Sequence, residues 1–155
     1  MKHYNGILFK VFIGISCLLL IHFSSNAQLS GNYTLNPLAS ASSTNYQNWA
    51  SVASDLISGT RSDGGTAQGS GVSGSVVFTV YDTIYSNTQF KLTAISGASA
   101  SNSITFKSAG GDSTACVLQF ASGTATTNDY VLMLDGADYI NFHQIGFERT
   151  GNSAY

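Results

Sequence analysis

Apolar residues recur at every second position through much of the second half of the chain, in short runs separated by Gly, Asp, Ser and Asn. Ile104 and Phe106 form one pair, Cys116, Leu118 and Phe120 a set, and Tyr130, Leu132 and Leu134 another; Ile140 with Phe142 and Ile145 with Phe147 follow. A period of two buries one face of each strand, and none of these runs is long enough for a helix. Upstream, Val76, Phe78 and Val80 alternate against Val77, Thr79 and Tyr81, and Phe90, Leu92 and Ala94 open a further strand. Residues 29–35 read as the first strand, ended by Asn36 and Pro37.

One stretch departs from this period. Trp49, Val52, Ala53, Leu56 and Ile57 fall on one face of a helix. Thr44 as N-cap with Gln47 three residues on forms a capping box, and Gly59 suits a left-handed C-terminal residue. Trp49 shares the apolar stripe and reads as core rather than as a sugar-stacking platform. Residues 59–74, rich in Gly and Ser, read as a flexible loop. They have neither the Lys that a phosphate-binding loop needs nor the repeated acids of a calcium-binding glycine repeat.

If the strands starting at Val76, Ile104 and Ile140 are equivalent, they repeat after 28 and then 36 residues, the excess falling in the polar turn 121–129. Such spacings belong to stacked repeats, in which one coil cannot bury its own face. The expectation is therefore an all-β chain forming the first coils of a parallel β-helix, its N-terminal end covered by the amphipathic helix. A β-sandwich is the alternative, although its hairpins would show tight Asn-Gly or Asp-Gly turns.

The first 27 residues change the picture of location. Lys2 and Lys10 precede an apolar run over 11–23, and Ser25 and Ala27 are small, as in a secretory signal peptide cleaved before Gln28. Residues 28–155 then form a single domain. They carry four bases, Arg61, Lys91, Lys107 and Arg149, against eight acids, a balance that argues against nucleic acid as a partner. Charged residues are only 9% of the chain, so the outward positions are largely Ser, Thr and Asn, as suits an extracellular β protein. Cys116, the one cysteine after residue 27, has no partner for an intrachain disulfide and reads as a buried, unreactive thiol.

The segments GNYTL, GVSGSVVFTV, SITFKSAGGDST, YVLMLDGADYINF and IGF, with the helix after the first, resemble the N-terminal region of secreted right-handed β-helix proteins of the pectin-lyase-like superfamily. More narrowly, they are similar to long surface proteins exported by a type IX system in gliding-type Gram-negative bacteria. The resemblance spans nearly all of residues 28–155 and implies a right-handed β-helix that is truncated here within its third coil. Enzymes of that superfamily use carboxylates and basic groups projecting outward from one stacked sheet, with calcium in many lyases. The corresponding outward residues are Val77, Thr79, Tyr81, Thr105, Lys107, Asn141 and His143, with no carboxylate among them.

His143 lacks an identified nucleophile or orienting partner. Asp135 and Asp138 flank a Gly136 turn and read as turn residues ahead of a calcium or sugar site; Asp112 is likewise a turn residue, and Glu148 and Arg149 point to opposite faces. No catalytic, cofactor-binding or metal-binding residue is assigned, and no cofactor is expected. The favoured reading is a secreted or cell-surface, non-catalytic β-helix for adhesion or glycan contact, without stable membrane insertion after cleavage. The alternative is the N-terminal part of a polysaccharide lyase or glycoside hydrolase whose catalytic residues lie beyond residue 155.

Overall fold

The structure is a computed structural model that describes residues 28–121 and 129–151. The signal-peptide expectation and most of the polar turn 121–129 lie outside the described residues. Ten strands and one helix follow in order: β1 Leu29–Leu35, β2 Asn45–Tyr46, α1 Trp49–Ser58, β3 Val72–Val80, β4 Ile84–Tyr85, β5 Phe90–Thr93, β6 Ile104–Ser108, β7 Val117–Ala121, β8 Leu132–Asp135, β9 Ile140–His143 and β10 Gly146–Thr150. They form three sheets, ordered β2-β1-β3-β6-β9, β10-β7-β4 and β5-β8. Every pairing among the described residues is parallel. The protein is thus strand-rich and all-β apart from α1, and the antiparallel hairpins of a sandwich are not seen in the described residues.

The register follows the alternation. Val76 pairs with Ile104 and Ile104 with Ile140, so the three strand starts taken as equivalent in the sequence are aligned neighbours. One position set of the first sheet faces the core: Tyr33, Phe78, Phe106 and Phe142 lie side by side on β1, β3, β6 and β9. Their rings form a continuous ladder, with centroids 5.5 Å apart for Tyr33–Phe78, 5.0 Å for Phe78–Phe106 and 5.3 Å for Phe106–Phe142. The last two pairs are stacked, at interplanar angles of 8° and 16°. Each fully buried ring contributes about 1.5–3 kcal/mol from removal of apolar surface. Aromatic pairing adds about 0.5–1.5 kcal/mol per contact.

Helix α1 packs on β1, β2 and β5. Trp49 is its anchor: 1% exposed, it meets Phe90 at 4.7 Å, Phe106 at 5.4 Å and Tyr85 at 5.8 Å, so it is core as its place in the stripe implies. The helix start differs from the capping box read in the sequence. Asn48, not Thr44, is the N-cap, its side-chain oxygen accepting from the Ser51 N–H at 2.8 Å. The reason lies in β2: once Asn45 and Tyr46 pair with Thr34 and Leu35, Thr44 sits ahead of a strand and cannot open the helix. Gly59 closes the helix in the left-handed region, φ 65°, as expected.

A second glycine is dictated by close approach. Gly97 has φ 81°, and its backbone lies so tightly on the Val72 carbonyl that no Cβ fits there. At the other extreme of the first sheet, β9 has no neighbour on its outer side among the described residues. The apolar positions thin out in the same direction, since Leu134 is 44% and Phe147 39% exposed.

Candidate functional site

The outward face of the first sheet carries the polar half of the alternation. One row runs Asn32, Val77, Thr105, Asn141 across β1, β3, β6 and β9; the next runs Thr34, Thr79, Lys107, His143. The sequence reading placed Val77, Thr79, Tyr81, Thr105, Lys107, Asn141 and His143 outward; the structure brings six of these together on this face, while Tyr81 is exposed just past the end of β3, outside the paired rows. It also adds Asn32 and Thr34, which the GNYTL alternation held and the sequence reading did not use. Between these rows and Thr44 lies an open groove of about 540 Å³ lined by Asn32, Tyr33, Thr34, Thr44, Thr79 and Lys107.

The charges are distributed unevenly. Lys91 pairs with Asp135 at 3.0 Å, Arg149 pairs with Asp129, and Arg61 pairs with Asp63 at 2.8 Å. Lys107, exposed on the groove, has no ion-pair partner among the described residues. No carboxylate stands on the outward positions of β1, β3, β6 or β9. Asp82, just beyond β3, is engaged by the Ser108 hydroxyl and the Gly110 N–H, each at 2.6 Å.

Of the other acids singled out in the sequence, Asp112, Asp135 and Glu148 are engaged by neighbouring groups. Asp112 accepts from the Thr114 N–H at 2.8 Å and hydroxyl at 2.7 Å, bonds that hold its carboxyl below the usual range, so it is a turn residue. Asp135 is tied to Lys91 and Asp138 is exposed. Glu148 accepts from Gln119 at 2.6 Å while Arg149 turns to Asp129, so the two adjacent residues do go separate ways. Among the described residues no group of three or more His, Cys, Asp or Glu side chains could hold a metal ion. Cys116 is fully buried; burial above all, then the charge of Asp82, pushes its thiol up to about 11.

A polar cluster that the sequence reading missed lies under the loop after α1. Arg61 and Asp63 have fully shielded side chains. The guanidinium lies 3.8 Å from the centre of the Tyr46 ring and donates to the carbonyls of Ser42 at 2.6 Å, Asn45 at 2.6 Å and Thr66 at 3.2 Å. Burial acts to raise the Asp63 carboxyl, but hydrogen bonds from Arg61 and from the Gln47 and Gly65 N–H groups outweigh it and hold it below its ordinary value. Asp55, fully buried on α1, accepts from the Tyr46 hydroxyl at 2.7 Å and the Gln68 N–H at 3.0 Å. Burial first, then that Asp55 bond, raises the Tyr46 phenol. Of residues 59–74, read as a flexible loop, 59–71 are thus pinned to β2 and α1 through Arg61, Asp63 and Gln68, and 72–74 belong to β3, where Val72 pairs with Leu29. This cluster works as a fastening.

Comparisons with protein-family models, curated proteins and solved structures found no match for the chain. Among the described residues no helix is long and apolar enough to cross a membrane.

Proposed function

We propose that the chain forms coils of a secreted or cell-surface right-handed parallel β-helix, capped by α1, whose outer polar face contacts extracellular glycans without catalysing their cleavage. The parallel sheets support the architecture. After β3 the chain visits the second sheet at β4 and the third at β5, then repeats the circuit through β6, β7 and β8 and begins it again with β9 and β10. The inward ladder of rings gives consecutive coils a common core, and α1 packs where β1 and β2 would otherwise end the stack uncovered.

The observation that carries the functional reading is the composition of the outward rows. Asn, Thr, Lys and His side chains stand at regular strand spacing, about 4.8 Å apart between neighbours, and offer hydrogen bonds to sugar hydroxyls. Hydrolysis or elimination at a glycosidic bond needs a positioned acid–base pair, and this face supplies no carboxylate. The test is to incubate the full chain with immobilised polysaccharides of different composition. Retention on some of them, with no release of reducing ends or unsaturated sugars, is expected. Cleavage that His143→Ala abolishes would overturn the non-catalytic reading, and absence of retention on any polysaccharide would overturn glycan contact.

A further inference from the structure

We propose that the groove beside β1, β3 and β6 is a subsite for a tetrahedral oxyanion ester, a sulfate or phosphate group carried on a saccharide, with Lys107 as its charged anchor. This rests on the reading of the face as a glycan-contacting surface and narrows it to one chemical class. Three observations converge on it.

The first is the unspent charge. Of the four Lys and Arg residues in the described parts of the chain, three are committed to carboxylates, and Lys107 alone is left facing the groove without one. His143, its cross-strand neighbour in the same row, is exposed beside it, and no carboxylate shares the row. In a chain whose residues 28–155 hold twice as many acids as bases, these rows carry a lysine and no carboxylate, an arrangement that favours an anion.

The second is the supply of donors. Asn32 and Thr79 line the groove with Lys107, and neither side chain has a hydrogen-bond partner among the described residues. Thr34, by contrast, is occupied, donating to Asn45 Oδ1 at 2.6 Å. An amide on β1, a hydroxyl on β3 and an ammonium group on β6 thus line one groove.

The third is the kind of cation. A planar carboxylate is best matched by the fork of a guanidinium, whereas an ammonium group is a compact charge with three donors that turn freely. The one guanidinium near this end of the sheet, Arg61, is buried and fully engaged with carbonyls and Asp63. A lysine with separate hydroxyl and amide donors suits an oxyanion that accepts from several directions.

The experiment measures binding of one oligosaccharide backbone in unsubstituted, carboxylated, sulfated and phosphorylated forms to the full chain and to its Lys107→Gln and Lys107→Arg variants. Lys107 is exposed, so both variants should unfold as the parent does. Sulfated or phosphorylated forms should bind, weaken about tenfold in K107Q, and weaken further as salt is raised. The stronger of these two forms identifies the natural ester. Equal binding of the unsubstituted form, unaffected by K107Q, would overturn the anion subsite while leaving glycan contact intact. Preference for the carboxylated form, improved in K107R, would overturn the tetrahedral class. Failure of every form to bind would overturn both readings.

Discussion

Replacing Phe106 by alanine removes the centre of the core ladder. The ring is fully buried, stacked on Phe78 on one side and Phe142 on the other, and it also touches Trp49 and Phe90 at 5.4 and 5.3 Å. Truncation of a buried Phe to Ala costs about 3–5 kcal/mol, transfer and cavity contributions together. Four ring contacts at about 0.5–1.5 kcal/mol each place this site at the upper end of that range. A domain of this size has only about 5–15 kcal/mol in total, so F106A should unfold at markedly lower denaturant. Phe142 is the internal control: the same residue type on the same row, but only partly buried at the last strand of the sheet. F142A should cost less than half as much. Urea titration followed by circular dichroism and by Trp49 fluorescence measures both. If F142A proves as costly as F106A, or F106A costs under about 1 kcal/mol, the ladder is not the stabilising axis described above.

The remaining expectations concern single sites. Arg61→Ala leaves the Asp63 charge shielded and unpaired and should cost about 3–5 kcal/mol; in an Asp63→Asn background the cost should be smaller but not absent, since the bonds to the Ser42, Asn45 and Thr66 carbonyls are lost there too. Because the folded Asp63 carboxyl is held below its ordinary value, its contribution is complete above the unfolded carboxyl value near ~4. It fades as pH falls through the lower folded value, so D63N should flatten the acid limb of a stability–pH profile. Asn48→Ala should cost about 1 kcal/mol through loss of the helix cap, whereas Thr44→Ala, if it were the cap, would show that loss instead. Cys116 should resist a bulky thiol reagent in the native protein at neutral pH and react on unfolding; rapid native labelling would show that β7 does not face the core. Mass spectrometry of the secreted product should find Gln28 at the mature N-terminus, and retention of Met1 would contradict export by signal cleavage.

Period-two alternation carried most of the architecture. It placed Val76, Ile104 and Ile140 in equivalent positions and sorted Phe78 and Phe106 inward from Thr79 and Lys107 outward, because each property depends only on which side of a strand a residue occupies. The helix and its Gly59 terminus were legible for a similar local reason. Its start was not: Thr44 and Asn48 are both good caps, and the choice was made by the pairing of Asn45 and Tyr46 with β1, a tertiary event. The fastening under residues 59–74 was hidden likewise. Arg61 and Asp63, two residues apart in a Gly-rich stretch, look like surface charges; they are shielded because the guanidinium docks on the carbonyls of Ser42 and Asn45 where β2 begins. Of the candidate site, the outward residues could be read one strand at a time. That Lys107 is the cation left without a carboxylate depends on Lys91 and Arg149 finding theirs at Asp135 and Asp129, far along the chain.

The parallel register of the first sheet is tested most directly by disulfide trapping. Thr105 and Asn141 are direct partners on adjacent parallel strands, with Cα atoms at about the 4.8 Å strand spacing, inside the range a disulfide spans. Thr105 and His143 are one same-face step out of register, beyond about 7 Å, where a bridge needs backbone movement. Under mild oxidation the T105C/N141C protein should form an intramolecular disulfide and gain stability, while T105C/H143C should stay reduced. Efficient bridging of T105C/H143C with none in T105C/N141C would contradict the stacked parallel arrangement.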